Sequence, residues 1–148
     1  MSTAPEEGRM IIEMGMGNDM YGLDYTKAAA RASEDAIRHS SLPVFEVLGI
    51  DHGQMRVQVT VGVQDPEAVD CAALAKKLPR GRAEVRAVKG GLNVANPETG
   101  GTIVIASAAV EAFLPKQIGW RVVSDPRASK RHINAGPARS DHRSGYEE

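Results

Sequence analysis

Cysteine is almost absent. Cys71 stands alone in 148 residues, so no disulfide framework can staple the chain, and a thiolate zinc site has too few sulfurs. Aromatics are scarce too, with one Trp, three Tyr and two Phe, which leaves little surface for stacking on nucleobases. Neither charge sign dominates: 18 Lys and Arg stand against 19 Asp and Glu, for a net charge of −1. That excludes a strongly basic nucleic-acid binder and an acidic solvating chain. The apolar runs are short, none longer than five residues, far short of the roughly 20 that span a bilayer. The start, MSTAPEEGR, lacks a basic segment followed by an apolar one, so no secretory signal is expected. The four histidines (His39, His52, His132 and His142) show no metal-ligand spacing. A soluble cytoplasmic protein without metal, cofactor, membrane or nucleic-acid partner is the expectation.

Glycine is what the chain has in excess. Its 15 glycines in 148 residues exceed the average of about 7%. Several fall in Gly15–Gly22 and Gly90–Gly101, which read as loops beside strands. Met10–Met14 is a short apolar run and reads as a strand. Asp24 is a good N-cap for a helix over Tyr25–Arg38, where Ala28, Ala29, Ala32 and Ala36 recur at helical spacing. Pro43 marks its end. Val44–Ile50 reads as extended and Asp51–Gln54 as a turn. Met55–Val63 alternates, with Val57, Val59, Val61 and Val63 on one side. A helix starts at Asp65-Pro66-Glu67, carries Cys71, Leu74 and Leu78 on its apolar stripe, and stops at Pro79. Ala83–Val88 alternates as a strand. Thr102–Ala106 is a strand with apolar continuity that suggests burial on both faces, and Ser107–Phe113 either extends it or forms a short helix.

The order β-α-β-β-α-β, plus one strand, predicts an α+β fold: a split βαβ sheet with two helices on one face. The domain is expected over 9–123, with a loose terminus at 1–8 and an arm or tail at 124–148, where apolar residues thin out. The tail's basic residues are nearly cancelled by its acids, so it does not read as a nucleic-acid handle. The sheet's second face needs a cover, and self-association is the natural one.

The Gly15–Gly22 loop is the strongest local signal for chemistry. Glycines there allow close backbone approach, and amides near a helix start can hold an anion. The spacing fits neither a dinucleotide fingerprint nor a phosphate-binding P-loop. Asp19 is the candidate acid or base, and Lys27, on the first helical turn, is placed to reach an anion at the loop. Gly15, Gly17, Asn18, Tyr21 and Gly22 would line the ligand. The alternative is a strained strand-to-helix turn in which glycine serves conformation and Asp19 caps the turn. Glu13 interrupts an apolar strand and faces either a cleft or solvent; a buried carboxylate there would act as a general acid. His39 reads as a helix C-terminal cap.

Gly15–Gly22, with Asp24-x-Thr26-Lys27-Ala28-Ala29 and His39-Ser-Ser-Leu-Pro43, resembles a small bacterial family of conserved hypothetical proteins. That family is marked by G-x-G-x-D-x-H-G near the N-terminus. The resemblance covers roughly Arg9–Phe113. It carries no assigned activity, and Tyr21 stands where the family has histidine. At the level of fold, the element order resembles trimeric chorismate mutase, the reactive-intermediate deaminases and the repeats of the cyclic-amide hydrolases. That likeness implies a trimer with sites in clefts between subunits. It also implies a serine–lysine pair, for which Ser107 and Lys89 are the candidates, although Ser107 is not followed by the usual glycines. The expected function is therefore a small homo-oligomeric, cofactor-independent enzyme that binds a small polar or anionic metabolite at an inter-subunit cleft, a hydrolase or lyase of a cyclic amide or carboxylate. The alternative is a non-catalytic accessory subunit that docks a partner protein.

Overall fold

The computed structural model describes residues 6–39 and 41–119. The chain divides into one compact unit over Met1–Lys116 and a second over Gln117–Glu148. The arm expected at 124–148 lies outside the described residues.

The first unit is an α+β structure with one five-stranded sheet. Its strands are β1 (Glu7–Asp19), β2 (Arg56–Val63), β3 (Arg82–Lys89), β4 (Leu92–Ala95) and β5 (Thr102–Pro115). Its helices are α1 (Tyr25–Arg38), α2 (Val44–Leu48) and α3 (Cys71–Lys77). The strand order is β1-β5-β2-β3, and β4 also pairs with β5. β5 runs antiparallel to β1, β2 and β4, while β2 and β3 are parallel. β1 and β2 are therefore parallel with β5 inserted between them, which is the split βαβ arrangement expected from the element order.

The core lies between one face of the sheet and helices α1 and α3. Val59, Val61 and Val63 of β2 are fully buried against Ala28, Ala29 and Ala32 of α1, with Leu74 of α3 in the same cluster. Asp24 caps α1 by accepting from Lys27 N–H, and Asp70 caps α3 by accepting from Ala73 N–H. His39 is the C-cap of α1. Thr26 ties the two helices together, accepting from Asp70 N–H at 2.9 Å.

Five local readings need correction. The glycines at 15 and 17 are not loop residues: β1 continues through them to Asp19 and begins at Glu7, inside the expected loose terminus. Val44–Ile50 is not extended but holds the short helix α2, entered at Pro43 and ended by Gly49 in the left-handed region at φ 61°. The helix expected from Asp65 is one 3-10 turn, Pro66–Ala68, followed by α3. The Gly90–Gly101 stretch contains β4. β5 is extended through Ser107–Phe113 to Pro115, the first of the two alternatives, but it is not buried on both faces: Val104 and Ala106 are buried while Ile103 and Ile105 are only half-buried.

Candidate functional site

The β1–α1 junction was the expected site, and its geometry is that of a turn closed by a carboxylate. Asp19, at the end of β1, is 2% exposed. Its Oδ2 accepts from Gly22 N–H at 2.9 Å and from Asp24 N–H at 3.0 Å, and Lys27 Nζ stands 3.3 Å from Oδ1. The Asp24 N–H, then the Gly22 N–H and the Lys27 ammonium, hold the carboxyl below its ordinary value against the opposing effect of burial. Asp19 is thus an ionised acceptor whose partners belong to the turn and to the first turn of α1. The same turn holds Leu23 at a positive φ of 49°, which costs an L-residue energy. The two amide bonds to Asp19, from Gly22 and Asp24, fix the backbone on both sides of Leu23.

The amides of Gly15 and Gly17 do not form an anion cradle. Successive N–H groups of a strand point to opposite edges. Met16 N–H points away from β5, where it donates to Asp35 Oδ2 at 3.0 Å. Gly15 and Gly17 therefore direct their N–H groups into the ladder with β5. What the two glycines provide is room for a helix. A Cβ at Gly15 would strike the backbone of α1 at Ala32 and Ala36, and one at Gly17 would strike it at Ala28 and Ala32. Asn18 offers its carbonyl to Arg31 at 2.7 Å. Tyr21 is 90% exposed and makes no hydrogen bond among the described residues.

The serine–lysine pair is not assembled. Ser107 stands opposite Gly62 of β2, whereas Lys89 stands opposite Val63, one residue further on. Neighbouring residues of a strand face opposite sides, so the two side chains lie on opposite faces of the sheet. Lys89 Nζ donates to the Gln64 carbonyl at 2.7 Å. Glu13, the third expected catalytic residue, lies about 20 Å from Asp19 along β1 at the ordinary strand rise.

Glu13 opens onto a different place. A cleft of about 560 Å³ lies under the C-terminal end of α1, between the sheet and the 41–55 connection. Ile11, Ile37, Phe45, Met55 and Val110 give it apolar walls. Its polar groups are few: Glu13 on the strand floor, His52 on the wall, and Ser41, Glu46 and Arg80 around them. Glu13 is half-buried, and no cation or hydrogen-bond donor among the described residues pairs with its carboxylate. The His52 ring stacks on Phe45 with centroids 4.5 Å apart and 25° between planes. His52 Nδ1 is buried without a partner. No three His, Cys, Asp or Glu among the described residues are grouped to hold a metal. No helix among them is long and apolar enough to cross a membrane.

Sequence reasoning set His52 aside as a turn residue and did not single out Phe45, Met55 or Arg80. One local sign was available. Leu42, Phe45 and Ile50 put large apolar side chains into a connection that must lay them on the domain.

An α+β domain with a split sheet and a helix-side cleft defines the structural class. Over residues 9–112 the chain matches the model of a family described as conserved hypothetical protein (Lin0512_fam), and it belongs to that family. Among solved structures it is similar to an FtsZ-like protein of unknown function from Nostoc punctiforme. The identity is 37% and the TM-score 0.67, covering 76% of this chain and 100% of that one. None of the curated proteins matches the chain.

Proposed function

We propose that this protein binds a small organic cation with an apolar body in the cleft floored by Glu13. The observation that carries this reading is the half-buried Glu13 carboxylate, unpaired among the described residues, in a largely apolar cleft of about 560 Å³. Removing a carboxylate from water without a partner is costly, so a ligand that brings an ammonium or amide N–H gains there. The volume lies within the ordinary range for small-molecule sites. The Phe45–His52 stack offers a flat wall to an aromatic or aliphatic body. Hydrolase or lyase chemistry in this cleft would rest on the Glu13 carboxylate and the His52 imidazole, which share its lining, and not on Asp19, which is committed to its own turn. The cyclic-amide hydrolase version is weakened by the separation of Ser107 from Lys89.

Phenethylamine and its charge-reversed counterpart 3-phenylpropionate test the reading by thermal shift and calorimetry. The amine is expected to raise the melting temperature saturably and the acid to leave it unchanged. A charge-assisted hydrogen bond contributes about 1.5–3 kcal/mol, so Glu13→Gln should weaken amine binding roughly tenfold or more. Equal responses to amine and acid, or full binding by Glu13→Gln, would refute it.

A further inference from the structure

Among the described residues, helices cover only one face of the sheet. The register puts Met14 and Met16 of β1 on the open face, opposite Ala109 and Ser107 of β5. Leu92 and Val94 of β4 stand there opposite Ile105 and Ile103. Met14 is 69% exposed, Met16 66% and Leu92 60%. The other end of the same face is polar and internally paired. Arg56 lies 2.9 Å from Glu7 and 4.3 Å over the Phe113 ring, and Arg9 meets Glu111 at 3.0 Å. The face is therefore an apolar half beside a charged half.

The sheet's edges are guarded and this face is not. On the outer edge of β1, Asp35 takes Met16 N–H and Arg31 takes the Asn18 carbonyl. The edge strand β3 carries Arg82, Glu84, Arg86 and Lys89. Charges so placed prevent growth of the sheet by strand addition. The apolar half of the face carries no such device, although an exposed patch of this kind marks an interaction site.

Size and charge point to the occupant. Strands of 13, 8, 8, 4 and 14 residues, at a rise of about 3.4 Å per residue and a spacing of about 4.8 Å, give a face of about 770 Å². A stable interface buries about 800 Å² per partner, with an apolar core and a polar rim. On the charged half, Arg9, Arg56, Arg82 and Arg86 stand beside Glu7, Glu84 and Glu111. The two signs nearly balance, so the face does not repel its own copy, and a partner of one charge gains nothing from it. We propose that the open face of the sheet is a two-fold interface with a second copy of this chain. A self-matching face is shared by pairs. The assembly therefore contains an even number of copies, not the three implied by the likeness to trimeric chorismate mutase.

Analytical ultracentrifugation of the full chain, with and without Met14→Lys and Met16→Lys together, tests this. Both side chains are largely exposed, so the variant keeps its fold, checked by circular dichroism. Leu92→Lys, on a different strand, is the second variant should the first misfold. The wild type is expected to sediment as a multiple of two 15.8 kDa chains, and each variant to raise the dissociation constant at least a hundredfold. A monomeric wild type at high micromolar concentration, a trimer, or an assembly that survives the lysines would overturn the proposal.

Discussion

Gly17→Ala tests whether the first glycines serve helix packing. A Cβ at Gly17 would lie 2.6 Å from the Ala28 carbonyl oxygen and 2.6 Å from Arg31 Cβ. Ordinary contacts lie at about 3.5–4.0 Å, so α1 must retreat by about 1 Å, and a gap of that size forfeits a quarter to a half of each contact's attraction. The loss falls on Ala28, Ala29, Ala32 and Ala36, all fully buried. Overpacking costs about 1–3 kcal/mol, and the upper end applies because the obstruction is helix backbone and not a flexible side chain. About 3 kcal/mol is a large part of a domain's total stability of 5–15 kcal/mol. The matched control is Gly8→Ala on the same strand, where a Cβ would meet nothing within 4 Å. Glycine in a strand costs about 0.5–1 kcal/mol relative to alanine, so the control should be neutral or slightly stabilising. Urea unfolding of both variants gives the difference directly. In a thermal scan Gly17→Ala should melt about 12 °C lower or more. If the two alanines behaved alike, packing against α1 would not be the reason for Gly17.

Two further substitutions probe groups around that helix. Asp19 has its carboxyl lowered from an ordinary 3.8 by two amides and Lys27. Its contribution is therefore complete above that value and is lost as pH falls through the lower folded value. Asp19→Asn should be less stable at neutral pH and show a flatter loss of stability on acidification; an acid limb as steep as the wild type's would contradict the assignment. Asp35→Ala removes the acceptor of Met16 N–H on the edge of β1. It should increase light scattering on storage with little change in helix content, and unchanged scattering would mean that the edge is protected by something else.

Where the sequence has a strong period, its elements can be read from it. The alternation of β2 and the alanine spacing of α1 gave those elements within a residue, because each period reports which side chains meet the core. β1 was cut short at Met14 because glycine reads as a loop signal. Yet Glu13, Gly15, Gly17 and Asp19 continue the strand's alternation, and two adjacent glycines on that face match the alanine stripe of α1. Small residues facing small residues across a helix–strand contact were legible as a pair, not singly. α2 was misread because Val44, Phe45 and Val47 favour strands, while Pro43 and Gly49 punctuate a helix. The cleft was not legible at all. Glu13, His52 and Arg80 come from three separate elements, and only the tertiary fold brings them together.

β1 carries both proposed surfaces through its pleat. From Ile11 onward its odd residues point to the helix side, where Glu13 floors the cleft and Gly15 and Gly17 admit α1. Its even residues Met14 and Met16 point to the open face. A one-residue slip in register would exchange the two sets, burying methionines against a helix that has room only for glycine. The close packing of α1 thus fixes the register, and the register in turn fixes which carboxylate faces the cleft and which methionines face a second copy. Cleft and interface lie on opposite sides of one sheet and share no side chain. A monomeric face variant that still binds amine, or a Glu13 variant that still associates, would separate the two readings cleanly.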